Sequence, residues 1–216
     1  MAVDGEPSMS EMHACDAGAK AMPSGAPAAE AAFVASVFDG PEVELAEMLD
    51  ARERRARIQR DLLAEALPGE TLLSATLSIP GPHKTSAVLE CAFRELVRAL
   101  ESGFSGARVR SRTRISDASG PELLMLVRMP ALELKRLAID VEEHHPLGRL
   151  ADFDVVELTD GMPRPVSRTE LGLAPRRCLI CGGEAKACAR SRAHTVKDMQ
   201  VAIAEIIRQG GCCNNG

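Results

Sequence analysis

Residues Thr71–Ile79 read TLLSATLSI, and beyond the break Pro80-Gly81-Pro82 residues Thr85–Ser102 read TSAVLECAFRELVRALES. The first run alternates, is rich in strand formers and stops at the prolines, so it predicts a strand. In the second, Val88, Leu89, Ala92, Phe93, Leu96, Val97 and Leu100 fall on one stripe of helical period, and Gly103 closes it. A strand followed by an amphipathic helix sets the pattern for the chain on either side. Upstream, Leu45, Leu49, Ala56, Leu63 and Leu67 recur near helical spacing from Glu42 to Leu67, and Pro68-Gly69 ends the run. Downstream, Arg108–Ile115 has period two and Leu123–Met129 is apolar. Asp117 and Gly120-Pro121 between them mark a turn, so the pair predicts an antiparallel hairpin. Residues 131–143 read as a helix through Leu134, Leu137, Ala138 and Val141, and Arg149–Leu158 as a strand. A Pro- and Gly-rich link then leads to a Cys-rich knot over 175–194 and a last helix over 195–208. Strands and helices do not alternate strictly. The expected class is therefore α+β: a single domain with a mixed, largely antiparallel sheet packed by helices, and a Cys-rich C-terminal segment.

The 216 residues suit one domain, and an apolar share of 45% is enough to build a core. Five Phe with no Trp or Tyr argue against stacking platforms for single-stranded nucleic acid and against aromatic membrane belts. Residues 1–35 hold eleven Ala and few large apolar side chains, so residues 1–40 are expected to be a disordered tail, with the catalytic domain over 41–209. Residues 210–216 read as a second tail, in which Cys212-Cys213 is an incidental exposed pair. The first 35 residues carry a net −4 of the chain's −5, leaving the remaining 181 near neutrality, without the global basic field of a duplex binder. Nucleic acid is accordingly not an expected partner. There is no signal peptide and no apolar run near the ~20 residues of a membrane span, which predicts a soluble cytoplasmic protein with reduced thiols and no membrane contact.

The strongest chemical signal is Gly148-Arg149-Leu150-Ala151-Asp152-Phe153-Asp154-Val155-Val156. On a strand, residues two apart share a face and lie ~7 Å apart at the Cα, so Asp152 and Asp154 point the same way while Phe153 and Val155 face the core. Two carboxylates so placed hold a divalent ion through hard oxygen ligands; the alternative is a solvated strand face. Gly148 offers close backbone approach and Arg149 a positive fork for phosphate, while Glu142 and His145 are candidates for a third ligand and a base. Lys84, where the Pro80–Pro82 turn meets a helix start, reads either as part of an anion cradle or as an inert exposed lysine.

A second constellation is Cys178-x2-Cys181-x6-Cys188-x5-His194. Three thiolates and an imidazole make a set that zinc accepts tetrahedrally as a structural ion; the alternative is a group of packing thiols. Four arginines at 108, 110, 112 and 114 read best as a charged edge strand protected from aggregation.

The run Glu142-x-x-His145-Pro146-Leu147-Gly148-Arg149-Leu150-x-Asp152-x-Asp154-Val155 resembles the signature of citrate lyase holo-acyl-carrier-protein synthases of the CitX type. Pro80-Gly81-Pro82-x-Lys84, Ser119-Gly120-Pro121-Glu122, Pro175-Arg176-Arg177-Cys178-Leu179-x-Cys181, Cys188-Ala189-Arg190 and His194 match in the same order. Glu53-Arg54, Arg57 and Gln59 resemble the family's first helix. The resemblance covers roughly residues 45–208. It implies a nucleotidyltransferase-like fold and a transfer of phosphoribosyl-dephospho-CoA from 2′-(5″-triphosphoribosyl)-3′-dephospho-CoA to a serine of the citrate lyase acyl carrier (gamma) subunit, with diphosphate leaving. It further implies Mg²⁺ on Asp152 and Asp154, Arg149 and Lys84 gripping the triphosphate, and Glu142 or His145 completing the metal shell or taking the serine proton. Gly148, Arg176 and Arg177 are the remaining expected donor contacts. The alternatives are the same reaction on another carrier, such as that of malonate decarboxylase, and a non-enzymatic zinc-stabilised binding module.

Overall fold

The computed structural model describes residues 27–159 and 162–211. Their elements run α1 (Pro27–Val37), α2 (Leu45–Ala64), β1 (Thr71–Leu77), α3 (Ala87–Ser102), β2 (Val109–Asp117), β3 (Gly120–Val127), α4 (Ala131–His144), β4 (Ala151–Thr159), β5 (Met162–Pro165), α5 (Ala185–Ser191) and α6 (Val196–Gln209). The strands form one sheet in the order β2-β3-β1-β4-β5, and every neighbouring pair is antiparallel. The α+β class holds. The sheet is antiparallel throughout rather than mixed, because β2–β3 and β4–β5 are hairpins and the α3 and α4 crossovers each join two parallel strands with a strand of opposite direction, β3 or β1, between them.

The predicted strand–helix core forms as the pattern requires. Ser86 caps α3 by accepting the Leu89 N–H, and Leu89, Ala92, Phe93, Leu96 and Leu100 are buried on one stripe. β1 lies at the centre with both sides covered. Leu73 and Ala75 join a large core with α3, α4, α6, Leu123, Met125, Phe153 and Val155. Leu72 faces the other way, with Leu63 of α2, Leu124, Leu126 and Val156. One face of the sheet is thus sealed by helices. On the other face, α2 seals only the end near Leu72, leaving the Thr76 end open beneath its N-terminal half.

Two segments depart from the sequence reading. Residues 27–40 are folded, not tail. Val37 and Phe38 are buried in the main core, and Ser86 Oγ donates to the Val37 carbonyl at 2.7 Å. Phe33, Val34, Val37 and Phe38 form a short apolar stripe on an Ala-rich helix, and that stripe straddles the end of the composition window. The second is β5, read as link. Its prolines suit an edge strand, whose outward positions need no N–H, and it pairs Pro165 with Val156 and Met162 with Thr159. Residues 1–26 and the Cys212-Cys213 pair lie outside the described residues.

The arginine strand β2 is an edge strand, and Arg110, Arg112 and Arg114 pair with Glu70, Glu101 and Glu90. They neutralise local acids rather than present a cationic face. Among the described residues, no helix is long and apolar enough to cross a membrane.

Candidate functional site

In β4 the alternation puts Ala151, Phe153 and Val155 in the main core and leaves Asp152 and Asp154 exposed on the opposite face. They stand beside Thr76 and Ser74 of β1. Glu122, one residue before the Leu123 that pairs with Ala75, shares that face from β3. These strands floor a cleft of about 220 Å³, roofed by Arg52 and Arg55 of α2 and closed at one end by Lys84.

The cleft is strongly polarised. Arg55 grips the buried Glu122 through two hydrogen bonds of 3.0 and 2.6 Å. Burial alone would lower the Arg55 pKa, but the Glu122 hydrogen bond and the charges of Glu122, Asp152 and Asp154 outweigh it and leave a net rise. Desolvation first, and the Asp152 charge second, push the Asp154 carboxyl above its ordinary value, against the pull of Lys135 and Arg55. Its side chain reaches solvent, so the cause is crowding by neighbouring protein atoms rather than enclosure. Lys84 donates to the Ile79 carbonyl at 2.5 Å, and desolvation followed by the Arg52 charge lowers its pKa. Among the described residues, neither Lys84 nor Arg52 forms an ion pair. Asp152 therefore lines the cleft together with two cations that form no ion pair, and Asp154 follows it on the same strand face just outside the lining, an arrangement that suits a dication next to phosphate.

Glu142 and His145 are not brought to this cleft. α4 packs on the face that Phe153 occupies, and the 3₁₀ turn Gly148–Leu150 feeds the chain from there into β4. The buried Glu142 accepts the Phe153 N–H at 3.2 Å on the β4 edge, next to Lys135, which donates to the Phe153 carbonyl at 2.8 Å. Burial raises the Glu142 pKa, while Arg176, Lys135, the Phe153 N–H and Arg168 pull it back. His145 ends α4; its Nδ1 accepts the Leu147 N–H at 3.1 Å, and burial lowers its pKa. Gly148 also serves packing. A Cβ there would lie 2.1 Å from the Val141 carbonyl oxygen, so only glycine lets the turn close against the end of α4.

The expected donor contacts divide likewise. Arg176 is committed to backbone, donating to the Ala151 and Arg149 carbonyls at 2.7 and 2.6 Å. Arg149 donates to the Arg177 carbonyl at 2.6 Å, and burial lowers its pKa. Arg149 and Arg177 line a second cavity of about 520 Å³, which meets the cleft at Ser78 and Ile79.

Cys178, Cys181, Cys188 and His194 gather as the spacing predicts, with one ligand atom from each within 4.8 Å of the others. The Cys181 and Cys188 sulfurs are 3.5 Å apart, close to the ~3.8 Å edge of a tetrahedron built on Zn–S bonds. His194 Nε2 is buried with no hydrogen-bond partner. Desolvation raises the Cys178 thiol, but the backbone at Cys181 and Ile180 and the neighbouring thiols overcome it and bring it to about 7. The Cys181 thiol, then desolvation, pushes Cys188 to about 12. One thiolate among crowded thiols opposes the next. A metal ion removes that conflict and gives the orphaned imidazole nitrogen a partner.

Sequence reading did not single out Arg52, Arg55 or Thr76, and it quoted Glu122 only within a matched motif, without a role. The available signal was Glu122 itself, a carboxylate opening an otherwise apolar strand.

The family model for apo-citrate lyase phosphoribosyl-dephospho-CoA transferases matches residues 43–210. A Streptococcus pyogenes protein named a probable apo-citrate lyase phosphoribosyl-dephospho-CoA transferase is 42% identical over 170 residues, 79% of this chain and 88% of that protein. The Escherichia coli apo-citrate lyase phosphoribosyl-dephospho-CoA transferase is 35% identical over 175 residues, 80% of this chain and 92% of the other. A Leuconostoc mesenteroides protein named CitXG is 34% identical over 163 residues, which make up 34% of its own length.

Proposed function

Because the chain belongs to the apo-citrate lyase phosphoribosyl-dephospho-CoA transferase family, we propose that it moves the phosphoribosyl-dephospho-CoA group of 2′-(5″-triphosphoribosyl)-3′-dephospho-CoA onto a serine of the citrate lyase acyl carrier (gamma) subunit. The serine oxygen bonds to the phosphorus nearest the ribose, the bond from that phosphorus to the outer two phosphates breaks, and diphosphate leaves, with the serine proton passing to the departing diphosphate or to water. The curated relatives carry citrate lyase in their names, which disfavours the malonate decarboxylase carrier as acceptor and a non-catalytic binding module as the role.

The observation that carries the mechanism is Asp152 in one cleft with Lys84 and Arg52, with Asp154 next to it on the same strand face. Asp152 and Asp154 would hold Mg²⁺, and their crowding, seen in the raised Asp154 pKa, fits a dication there. Bound so, Mg²⁺ supplies charge neutralisation to the phosphoryl oxygens. Lys84 and Arg52 bind the departing diphosphate, and the Arg55–Glu122 pair fixes the roof over the strands so that the acceptor oxygen is held in line. With Glu142 bound to the β4 edge and His145 at the end of α4, both outside the cleft lining, neither is given a part in this chemistry.

Cys178, Cys181, Cys188 and His194 hold zinc as a structural ion, tying the segment after β5 to α6. Reduced thiols of this kind agree with a cytoplasmic setting. Elemental analysis is expected to give one zinc per chain in the purified protein and none in Cys178→Ser; negligible zinc in both reduces the cluster to packing thiols.

Intact-mass spectrometry of the apo carrier subunit, incubated with this protein, donor and Mg²⁺, tests the reaction. A gain of one phosphoribosyl-dephospho-CoA that EDTA abolishes is the expected result. An unmodified carrier, with donor and carrier shown competent by a known synthase, overturns it.

A further inference from the structure

The 220 Å³ cleft is polar and too small for the whole donor, which carries a triphosphate on one arm and a diphosphate–pantetheine chain on another. The adjoining cavity differs in every respect. Its volume of about 520 Å³ lies within the ~300–1,000 Å³ of small-molecule sites. Its walls are largely aliphatic, built by Ile79, Pro80, Leu179, Ile180, Val196 and Met199, with no Phe among its lining residues and the His194 imidazole as its one ring. Ile180 and Val196 remain 38% and 43% exposed, an apolar surface without a protein partner. No carboxylate lines it, whereas Arg149, Arg177 and Arg192 do, and among the described residues none of the three forms an ion pair. Arg192 is held at φ 51°, a left-handed conformation costing a non-glycine residue on the order of 1 kcal/mol.

Building on the transferase reading above, we propose that this cavity is the donor's dephospho-CoA subsite, taking the pantetheine arm against its aliphatic walls. The linking diphosphate lies on Arg149 and Arg177, and the triphosphate crosses Ser78–Ile79 into the cleft. The alkyl-amide arm is the part of the donor that aliphatic walls complement; the one ring in the lining, the His194 imidazole, is taken up by the Cys/His cluster. Cys178, Cys188 and His194 belong to this lining, so zinc on the cluster would hold the wall that carries Leu179 and Ile180.

Calorimetric titration of the whole protein with dephospho-CoA, and with ADP as the same nucleoside diphosphate lacking pantetheine, tests the assignment. Dephospho-CoA is expected to bind about tenfold more tightly than ADP, a difference of about 1.4 kcal/mol. Ile180→Glu and Val196→Glu should each erase that difference. Val196 opens α6, where an acidic residue suits the helix terminus, so this variant is expected to fold. Arg177→Ala should weaken both ligands, and Asp152→Asn should change neither. Equal affinities in the wild type, or an unchanged preference in both glutamate variants, overturns the subsite. A wild type that modifies the carrier yet binds the two ligands alike leaves the transferase reading intact and removes only the subsite. A wild type that binds dephospho-CoA selectively but modifies no carrier does the reverse.

Discussion

The two faces of the sheet are built from the same strands and do different work. On one, Leu73, Ala75, Met125, Phe153 and Val155 disappear beneath α3 and α4, and every position is chosen for volume. On the other, α2 buries Leu72, Leu126 and Val156 and then, over its N-terminal half, exchanges apolar contact for Arg52 and Arg55. The charged end tolerates Asp152, Asp154 and Glu122 because cations and solvent compensate them, and because the sealed face supplies the stability that they do not. Adjacent residues of β4 should then fail in opposite ways when changed.

The largest contrast is expected at Asp152. Asp152→Asn removes the carboxylate proposed to hold Mg²⁺ from an exposed position, so carrier modification should fall about 10³-fold, roughly 4 kcal/mol of transition-state stabilisation, at an unchanged thermal midpoint. Normal turnover in this variant breaks the distinction between the faces. Its neighbour should behave inversely. Phe153 is 1% exposed, and Phe153→Ala leaves a cavity expected to cost about 3–5 kcal/mol, read as a lower urea midpoint. Whatever protein remains folded should keep kcat within a few-fold. A large loss of kcat without loss of stability would show that the core face also serves the chemistry.

How much of this was legible in the sequence follows from the range of the interactions. Period two in TLLSATLSI and ADFDVV placed Asp152 and Asp154 on the correct face, because parity along a strand is local. The Cys/His grouping was legible for the same reason, its ligands lying within seventeen residues. The place of Glu142 outside the cleft lining was not legible, because proximity in sequence says nothing about which side of a sheet a helix packs on; the turn at Gly148 feeds the chain from α4 into β4, and its closeness to the Val141 carbonyl appears only in three dimensions. The Arg55–Glu122 pair spans 67 residues and had no local signature. β5 and α1 were hidden by composition, the first by its prolines and the second by its alanines.

The smallest expected effect sharpens the comparison most, because it concerns a carboxylate ten residues from Asp152 that the same motif contains. Glu142→Gln should leave kcat within about threefold of the wild type, since Glu142 accepts the Phe153 N–H on the β4 edge and does not line the cleft. A metal ligand or base at this position would instead lose orders of magnitude. The variant should also change the response to pH. Burial raises the native Glu142 pKa above its unfolded value, so the native state holds that proton more firmly. Its contribution to stability is therefore fullest below the ordinary carboxylate pKa and declines as pH rises through the native value. The wild-type thermal midpoint should fall across that window by an amount that Glu142→Gln lacks. Parallel midpoint curves for the two proteins, together with a collapse of transfer in the variant, would return Glu142 to the chemistry and dissolve the division between the faces.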